Sequence, residues 1–255
     1  MSTNQKNQEL KVAVVSGGTG YVGSEIVKRL AADGMRVAAL YLNASEEVVT
    51  DIISKLPGSG HQAYQCDLRD ADAVNQTIET IEKNQGAIYV CVHAAGTMPK
   101  RKKLYLSSVG DVKEQFDADV FSAFNFLSSC AVRIKEYEKG IIIGITTAAV
   151  VSQANTKARG VYSPVKFALQ GILSAFREEL SPYGVRVYSV APGVMPGGLN
   201  KETPQAFLDM VKEKSPTKNL AQASDVAGTV SFLCSRDSFH LANLTLLVAP
   251  EAGTT

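Results

Sequence analysis

A tyrosine and a lysine four residues apart could carry acid–base chemistry. Tyr162 and Lys166 belong to the run YSPVK, and positions i and i+4 of a helix lie on one face. A free phenol loses its proton at about pH 10, and bringing that value to neutrality requires roughly 4 kcal/mol of differential stabilisation. A neighbouring ammonium acts in this direction, which makes proton transfer to a carbonyl oxygen feasible. The same spacing also occurs on solvated helix faces, so the pair needs support from other residues.

A glycine-rich run near the start of the chain could bind a phosphate group. It reads VAVVSGGTGYVG from Val12 and has G-x-x-G-x-x-G spacing between a predicted strand and a predicted helix. Glycines at such a junction let the backbone turn tightly beside a pyrophosphate, whose charge meets the free N–H groups of the helix. The predicted cofactor-binding residues of this run are Ser16, Gly17, Thr19, Gly20, Tyr21, Val22 and Gly23. A tight turn that binds nothing is the alternative.

The elements that would position these residues alternate regularly. Apolar runs predict strands at 12–15, 36–41, 61–66, 87–93, 141–145, 186–190 and 244–248. Helical patterns lie between them, and the longest are 109–137 and 162–180. Ser45 and Asp70 are predicted N-caps. Strands without polar alternation suit a sheet that is covered on both faces. The fold class is therefore α/β, a doubly wound Rossmann-type fold with a seven-stranded, mostly parallel sheet.

Composition and charge exclude several function classes. The 255 residues carry 26 Lys and Arg against 25 Asp and Glu, and this near neutrality argues against a nucleic-acid partner. The four cysteines and three histidines show no metal-ligand spacing, so no metal is predicted. No apolar run suits a signal peptide or a membrane span. We expect a cytoplasmic protein with a flexible segment at 1–10 and one catalytic domain at 11–255.

Several motifs occur in a characteristic order along the chain. The glycine run is followed by Asp67 after the third predicted strand, HAAG at 93–96, Tyr162 with Lys166, and Pro192-Gly193 after the sixth strand. In this combination the chain resembles the short-chain dehydrogenase/reductase family over nearly its whole length. It is similar in length to single-domain members such as 3-oxoacyl-acyl-carrier-protein reductases. The resemblance implies NAD(P)(H)-dependent reduction of a ketone or aldehyde to an alcohol by hydride transfer.

The resemblance also implies a catalytic role for each matching residue. Tyr162 would be the general acid in reduction, and Lys166 would hold the ribose hydroxyls and assist the phenol. Thr147 would orient the substrate oxygen. It stands two residues farther from Tyr162 than is usual in the family, so Thr146 and Ser152 remain alternatives.

Cofactor contacts follow from the same resemblance. Beyond the glycine run, Tyr162 and Lys166, they are implied for Tyr41, Asn43, Ser45, Asp67, Leu68, Ala94, Ala95, Gly96, Pro192, Gly193 and Val194. An acidic residue at the end of the second strand would bind the ribose 2′-hydroxyl of NAD and repel a 2′-phosphate. No acidic residue stands there before Glu46. NADP(H) is therefore the preferred cofactor, with NAD(H) as the second possibility.

Three positions depart from the family pattern. Asp119 stands where an asparagine is usual and joins the candidate catalytic residues, Tyr21 replaces a glycine, and Gly197 replaces a threonine that contacts the cofactor. The glycine spacing also resembles that of the longer epimerase-like branch, but too few residues follow Gly193 for the substrate domain of that branch. The altered positions suggest a second interpretation, a dinucleotide-binding scaffold or regulatory paralogue with weak or lost catalysis.

The expected partners are a small carbonyl or alcohol substrate and further copies of the chain. The basic run KRKK at 100–103 lies near the expected mouth of the cleft, where it could attract a substrate bound to an acidic carrier protein. A solvated loop is the alternative. Family analogy implies a homo-oligomer, either a tetramer or a dimer, and no nucleic-acid or membrane partner is expected.

Overall fold

The structure, a computed structural model, describes residues 11–99, 102–152, 160–242 and 244–249. Seven strands form a single sheet in the order β3-β2-β1-β4-β5-β6-β7, and every pair of neighbours is parallel. They are β1 (Val12–Ser16), β2 (Arg36–Tyr41), β3 (Gln62–Gln65), β4 (Ile88–His93), β5 (Gly140–Ile145), β6 (Val185–Pro192) and β7 (Thr245–Val248). The predicted α/β doubly wound fold is confirmed.

The helices cover both faces of this sheet. They are α1 (Tyr21–Ala32), α2 (Glu46–Ser54), α3 (Ala71–Gln85), α4 (Val109–Phe116), α5 (Ser122–Glu136), α6 (Ala149–Ser152), α7 (Tyr162–Leu180), α8 (Gln205–Lys214) and α9 (Ala223–Cys234). Helices α1 and α9 share one hydrophobic core with the sheet, whereas α3, α5 and α7 share the other. Alternate residues of β1 enter the two cores, since Ala13 and Val15 lie in the first and Val12 and Val14 in the second. This is why the strand is apolar at every position.

The order of the strands places a crevice at the carboxyl end of β1. Strand β2, which follows β1 in the chain, lies next to β1 on one flank. Strand β4, which comes later, lies next to β1 on the opposite flank. At such a switch point the loops after neighbouring strands diverge, and ligands of open α/β sheets bind there. The fold therefore brings the loops after β1, β4, β5 and β6 to one edge.

Local signals in the sequence explain where several helices begin. The Asp70 side chain accepts hydrogen bonds from the backbone N–H groups of Asp72 and Ala73, both at 3.0 Å. The Ser45 hydroxyl accepts one from Val48 N at 3.4 Å. Both predicted N-caps are confirmed, and they satisfy donors that have no partner inside their helices.

Two stretches differ from the prediction. The expected helix at 109–137 is interrupted between α4 and α5 by a π-helical turn, Asp117–Phe121. The stretch 192–216, which was expected to be loose, contains α8. Residues 1–10, for which a flexible segment was predicted, lie outside the described part of the chain, as do Lys100 and Arg101 of the basic run.

Candidate functional site

The junction of β1 and α1 has the geometry of an anion-binding turn. Gly17 has a φ of +66°, and a Cβ at Gly23 would lie only 2.0 Å from the carbonyl oxygen of Gly17, so neither position accepts a side chain. Gly20 is the N-cap of α1 and has no side chain that could accept hydrogen bonds from the first turn. That turn contains no acidic residue either. The helix therefore presents free N–H groups and a positive dipole end.

Tyr162 and Lys166 meet at the start of α7, beside the carboxyl end of β5. Their exposed fractions are 6% and 4%. The Lys166 Nζ atom lies 5.8 Å from the centre of the Tyr162 ring and 3.5 Å from the carbonyl oxygen of Ile145, to which it donates. Burial strengthens the interaction between a cation and a phenol, because less water screens it. The two side chains thus lie near each other on one face of α7.

Asp119 is held by the loop that follows β4. Its carboxylate accepts hydrogen bonds from the backbone N–H of Thr97 at 2.7 Å, from the Thr97 hydroxyl at 3.2 Å and from the side-chain amide of Gln115. A Cβ at Gly96 would lie 3.3 Å from Lys166 Nζ and 3.6 Å from Asp119 Oδ1. The ammonium and the carboxylate therefore both lie close to the open position beside Gly96, and Asp119 also anchors this loop through Thr97.

The π-helical turn explains how Asp119 is turned inward. The N–H of Ser122 donates to the carbonyl of Asp117, a bond between residues five apart. A single π turn inside an α-helix changes which residues face the core and often occurs at functional sites. Here Asp119 and Val120 are both buried.

The residues after β5 provide the candidate for the substrate-orienting hydroxyl. The Thr146 hydroxyl is engaged within the fold, 2.8 Å from Ser189 Oγ and 3.3 Å from the carbonyl oxygen of Val190. Thr146 and Thr147 both line the cavity beside Tyr162. Because the Thr146 hydroxyl already has these partners, Thr147 remains the stronger candidate. The side chain of Ser152 is not among those that the structure describes.

A cavity of about 280 Å³ joins the glycine turn to the Tyr162–Lys166 pair. Twelve of the predicted site residues line it: Gly20, Tyr21, Val22, Gly23, Ala94, Ala95, Gly96, Thr147, Tyr162, Lys166, Pro192 and Gly193. The lining residues that were not predicted are Met98, Ile145, Met195, Gly198, Leu199 and Asn200. The sequence feature that could have indicated these residues is their position at or just beyond the ends of β4, β5 and β6. Loop side chains there follow no periodic pattern that would single them out.

The other predicted cofactor contacts do not line the cavity. Ser16 and Leu68 are buried, and Leu68 belongs to the second hydrophobic core. Gly17 supports the turn, while Thr19 and Val194 do not line the cavity. Arg69 binds the Asp67 carboxylate through its guanidinium and its backbone N–H, and this hydrogen bonding lowers the pKa of Asp67.

The end of β2 offers hydroxyl and amide groups. Tyr41 ends the strand, Asn43 is exposed, and the Ser45 hydroxyl accepts a hydrogen bond from Val48 N. A hydroxyl that accepts in this way still has its own hydrogen to donate. Ser45 can therefore cap α2 and donate to a further group at the same time.

His93 is a buried, neutral histidine at the end of β4. Its Nδ1 atom lies 2.9 Å from Ser16 Oγ, and Ser16 Oγ also accepts from the backbone N–H of Ala95 at 3.4 Å. Burial, reinforced by the charge of Lys166, lowers the pKa of His93 to about 3. The histidine therefore supports the strand end beneath the site and carries no charge at neutral pH.

Comparisons with known proteins agree with this geometry. The family model described as enoyl-(acyl carrier protein) reductase matches residues 20–248. The chain belongs to the short-chain dehydrogenase/reductase family. It is 31% identical over 252 residues to an L-2,3-butanediol dehydrogenase of Corynebacterium glutamicum, covering 93% of this chain and 96% of the relative. It is 26% identical to a 3-oxoacyl-acyl-carrier-protein reductase of Staphylococcus epidermidis, covering 93% and 97%. The chain is thus an oxidoreductase that uses a nicotinamide dinucleotide.

Solved structures share the fold. A dehydrogenase/reductase from Sinorhizobium meliloti superimposes with a TM-score of 0.84 at 27% identity, covering 96% of this chain and 95% of the other. An NAD⁺-bound xylitol dehydrogenase gives a TM-score of 0.86 at 21% identity, covering 96% and 100%. Within the described residues, no cluster of three or more His, Cys, Asp or Glu is arranged to hold a metal. No helix in that part of the chain is long and apolar enough to cross a membrane.

Proposed function

We propose that the protein reduces a ketone or aldehyde to an alcohol, with Tyr162 as the general acid and Lys166 as its supporting cation. The observation that carries this proposal is the contact of Lys166 with Tyr162 at the wall of a cavity whose other end is the glycine turn. The residues fit a dinucleotide, because the turn leaves no room for side chains and presents the positive end of α1.

The proposed chemistry assigns one task to each side chain. The bound nicotinamide supplies the hydride that the carbonyl carbon receives. The Tyr162 hydroxyl gives its proton to the carbonyl oxygen, and Lys166 stabilises the phenolate that remains. The Thr147 hydroxyl donates to the same oxygen and orients the carbonyl group. In the oxidative direction the phenolate takes the proton back from the alcohol.

NADP(H) is the proposed preferred cofactor, and NAD(H) is the alternative. The support is the chemistry at the end of β2, where Tyr41, Asn43 and Ser45 offer donors and no carboxylate stands before Glu46. A carboxylate at this point would repel a 2′-phosphate. The preference is tested by measuring the KM of NADPH and the KM of NADH in the reduction of the same carbonyl substrate. A tenfold preference for NADH would overturn it.

The proposed substrate is a small carbonyl compound, either free or bound to a carrier protein. The names of the relatives include both a butanediol dehydrogenase and an acyl-carrier-protein reductase. For a carrier protein, the attracting surface would be the basic run at 100–103, although Lys102 is paired with Asp111 at 2.8 Å. We further propose one catalytic domain at 11–255, a homo-oligomeric assembly and a cytoplasmic location, in line with family analogy and composition.

Replacing Tyr162 by phenylalanine tests the central assignment. Tyr162→Phe removes only the acidic hydroxyl, so turnover should fall at least about a hundredfold while dinucleotide affinity changes little. Tyr183→Phe is the matched control, because this tyrosine is partly exposed beyond the end of α7. A Tyr162→Phe variant that keeps most of its turnover would refute the assignment.

A scaffold without catalysis is the second candidate. The observation that favours it is the buried carboxylate of Asp119, which lies, like the Lys166 ammonium, close to the position that a Cβ at Gly96 would take. In that position it would compete with the phenolate for the charge of the lysine. Tight dinucleotide binding without turnover on a broad panel of ketones, aldehydes and alcohols would support this candidate.

A further inference from the structure

The Tyr21 ring lies against two glycines from a distant part of the chain. Tyr21 is the first residue of α1, and Gly197 and Gly198 follow β6. A Cβ at Gly197 would lie 2.7 Å from Cε2 and 2.8 Å from Cζ of the Tyr21 ring. A Cβ at Gly198 would lie 3.0 Å from Cβ and 3.1 Å from Cδ1 of the same side chain. The tyrosine therefore covers the backbone of both glycines along its whole length.

This contact connects two walls of the cavity. Tyr21 belongs to the helix end that is proposed to bind the pyrophosphate, whereas the glycines belong to the loop 193–200 that follows β6. Inside the loop, Asn200 N donates to the carbonyl of Gly197 and Lys201 N to that of Gly198, both at 3.2 Å. These bonds shape the loop locally but do not attach it to α1. The tyrosine ring provides an attachment between loop and helix.

We propose that Tyr21 is a positioning residue that fastens the loop 193–200 to α1 and so retains the dinucleotide in the cavity. The inference rests on the proposed function, because it requires a dinucleotide to bind between these walls. It also gives one explanation for two departures from the family pattern, the tyrosine at Tyr21 and the glycine at Gly197. The side chain missing at Gly197 leaves the space that the added ring at Tyr21 fills, so the ring can lie here only because residue 197 is a glycine.

Gly197 offers a clean way to remove the ring from its seat. Its φ of −138° and ψ of −167° are extended values that alanine adopts freely. The three atoms nearest to an added Cβ all belong to the Tyr21 ring, and Tyr21 is 37% exposed. In Gly197→Ala the ring therefore has to swing toward solvent while the backbone keeps its path. Gly198 is unsuitable for this purpose, because its φ of +61° strains any other residue.

Four variants test the proposal: Tyr21→Phe, Tyr21→Ala, Gly197→Ala and the double variant Tyr21→Ala/Gly197→Ala. The dissociation constant of NADPH is measured by fluorescence titration, and hydrogen exchange at residues 197–203 is measured in the ligand-free protein. An aromatic contact of this kind predicts dissociation constants about threefold to tenfold higher for Tyr21→Ala and for Gly197→Ala, with faster exchange in the loop. Tyr21→Phe, which retains the ring, should bind NADPH more tightly than Tyr21→Ala.

The double variant decides whether the two residues act through one contact. If they do, it binds NADPH no more weakly than either single variant, because the contact is already lost. Multiplied losses, or single variants whose loop exchanges as slowly as in the unmodified protein, would overturn the proposal. Gly171→Ala is the control, since a Cβ there meets nothing within 4 Å. Absence of both NADPH and NADH binding in the unmodified protein would instead contradict the proposed function, while loop exchange would still report on the contact.

Discussion

Acidification to pH 5 should destabilise this protein through a single buried histidine, His93. Its side chain is 1% exposed, and burial with the nearby Lys166 charge holds its pKa at about 3. In the unfolded chain a histidine has a pKa of about 6.5. As the pH falls below that value, the unfolded chain binds a proton that the folded protein does not accept. Stability is therefore complete above about pH 6.5 and is lost progressively as the pH falls toward 3.

The size of the effect follows from the two pKa values. Each pH unit below the unfolded value costs about 1.4 kcal/mol, so lowering the pH from 7 to 5 should cost about 2 kcal/mol through His93 alone. Other groups titrate over the same interval, and a matched variant is needed to separate them. His93→Asn keeps a polar side chain opposite Ser16 Oγ, which lies 2.9 Å from His93 Nδ1, and does not titrate.

Urea unfolding of both proteins at pH 7 and pH 5 makes the comparison. The unmodified protein should lose about 2 kcal/mol more of its unfolding free energy between these pH values than His93→Asn does. At pH 7 His93→Asn is expected to be the less stable of the two, because it repacks a site that Phe126 adjoins at 5.9 Å between ring centres. Equal losses on acidification would mean that the folded protein also protonates the imidazole, and the argument from burial would be refuted.

Three further predictions follow from the site. Gly23→Ala should cost about 1–3 kcal/mol in thermal or urea unfolding and abolish NADPH binding, because its Cβ would meet the backbone oxygen of Gly17 at 2.0 Å; unchanged binding would contradict the close packing of the turn. Asp119→Ala should lower stability by about 1–3 kcal/mol, because it leaves the Thr97 N–H without its acceptor and removes one of the two acceptors of the Gln115 amide. Asp119→Asn, which keeps one acceptor oxygen, should cost less in the same urea assay, and the reverse order would exclude an anchoring role. Raising the salt concentration from 50 to 500 mM should leave KM for a small free ketone unchanged, whereas a strong rise would indicate a charged substrate.

The sequence was sufficient for the sheet because each strand carries its own signal. β1 and β5 are apolar at nearly every position, and β2 was predicted with its observed bounds. The helix at Tyr162–Leu180 was likewise predicted from end to end. These signals are local, since burial on both faces of a parallel strand and the 3.6-residue period of a helix are both written in neighbouring residues.

The parts of the site that the sequence did not predict depend on contacts between distant residues. Nothing near Asp119 in the sequence indicates that Thr97 will donate two hydrogen bonds to it. The seat of Tyr21 on Gly197 and Gly198 joins residues more than 170 positions apart. Helix α8 was missed because its ten residues, Gln205–Lys214, contain one buried side chain, Leu208, so its hydrophobic pattern is weak.

The number of residues in the π-helical turn at Asp117–Phe121 determines the direction in which the side chains of α5 point. Each residue of a helix advances its side chain by about 100°, so the extra residue in this turn sets the phase of every position in α5. Deleting one residue here would leave the composition and the apolar content of the helix almost unchanged. It would nevertheless rotate Asp119 relative to Phe126 and Cys130, which are fully buried in the core. Single-residue insertions and deletions should therefore be tolerated far less in this turn than in the surface loop before α4.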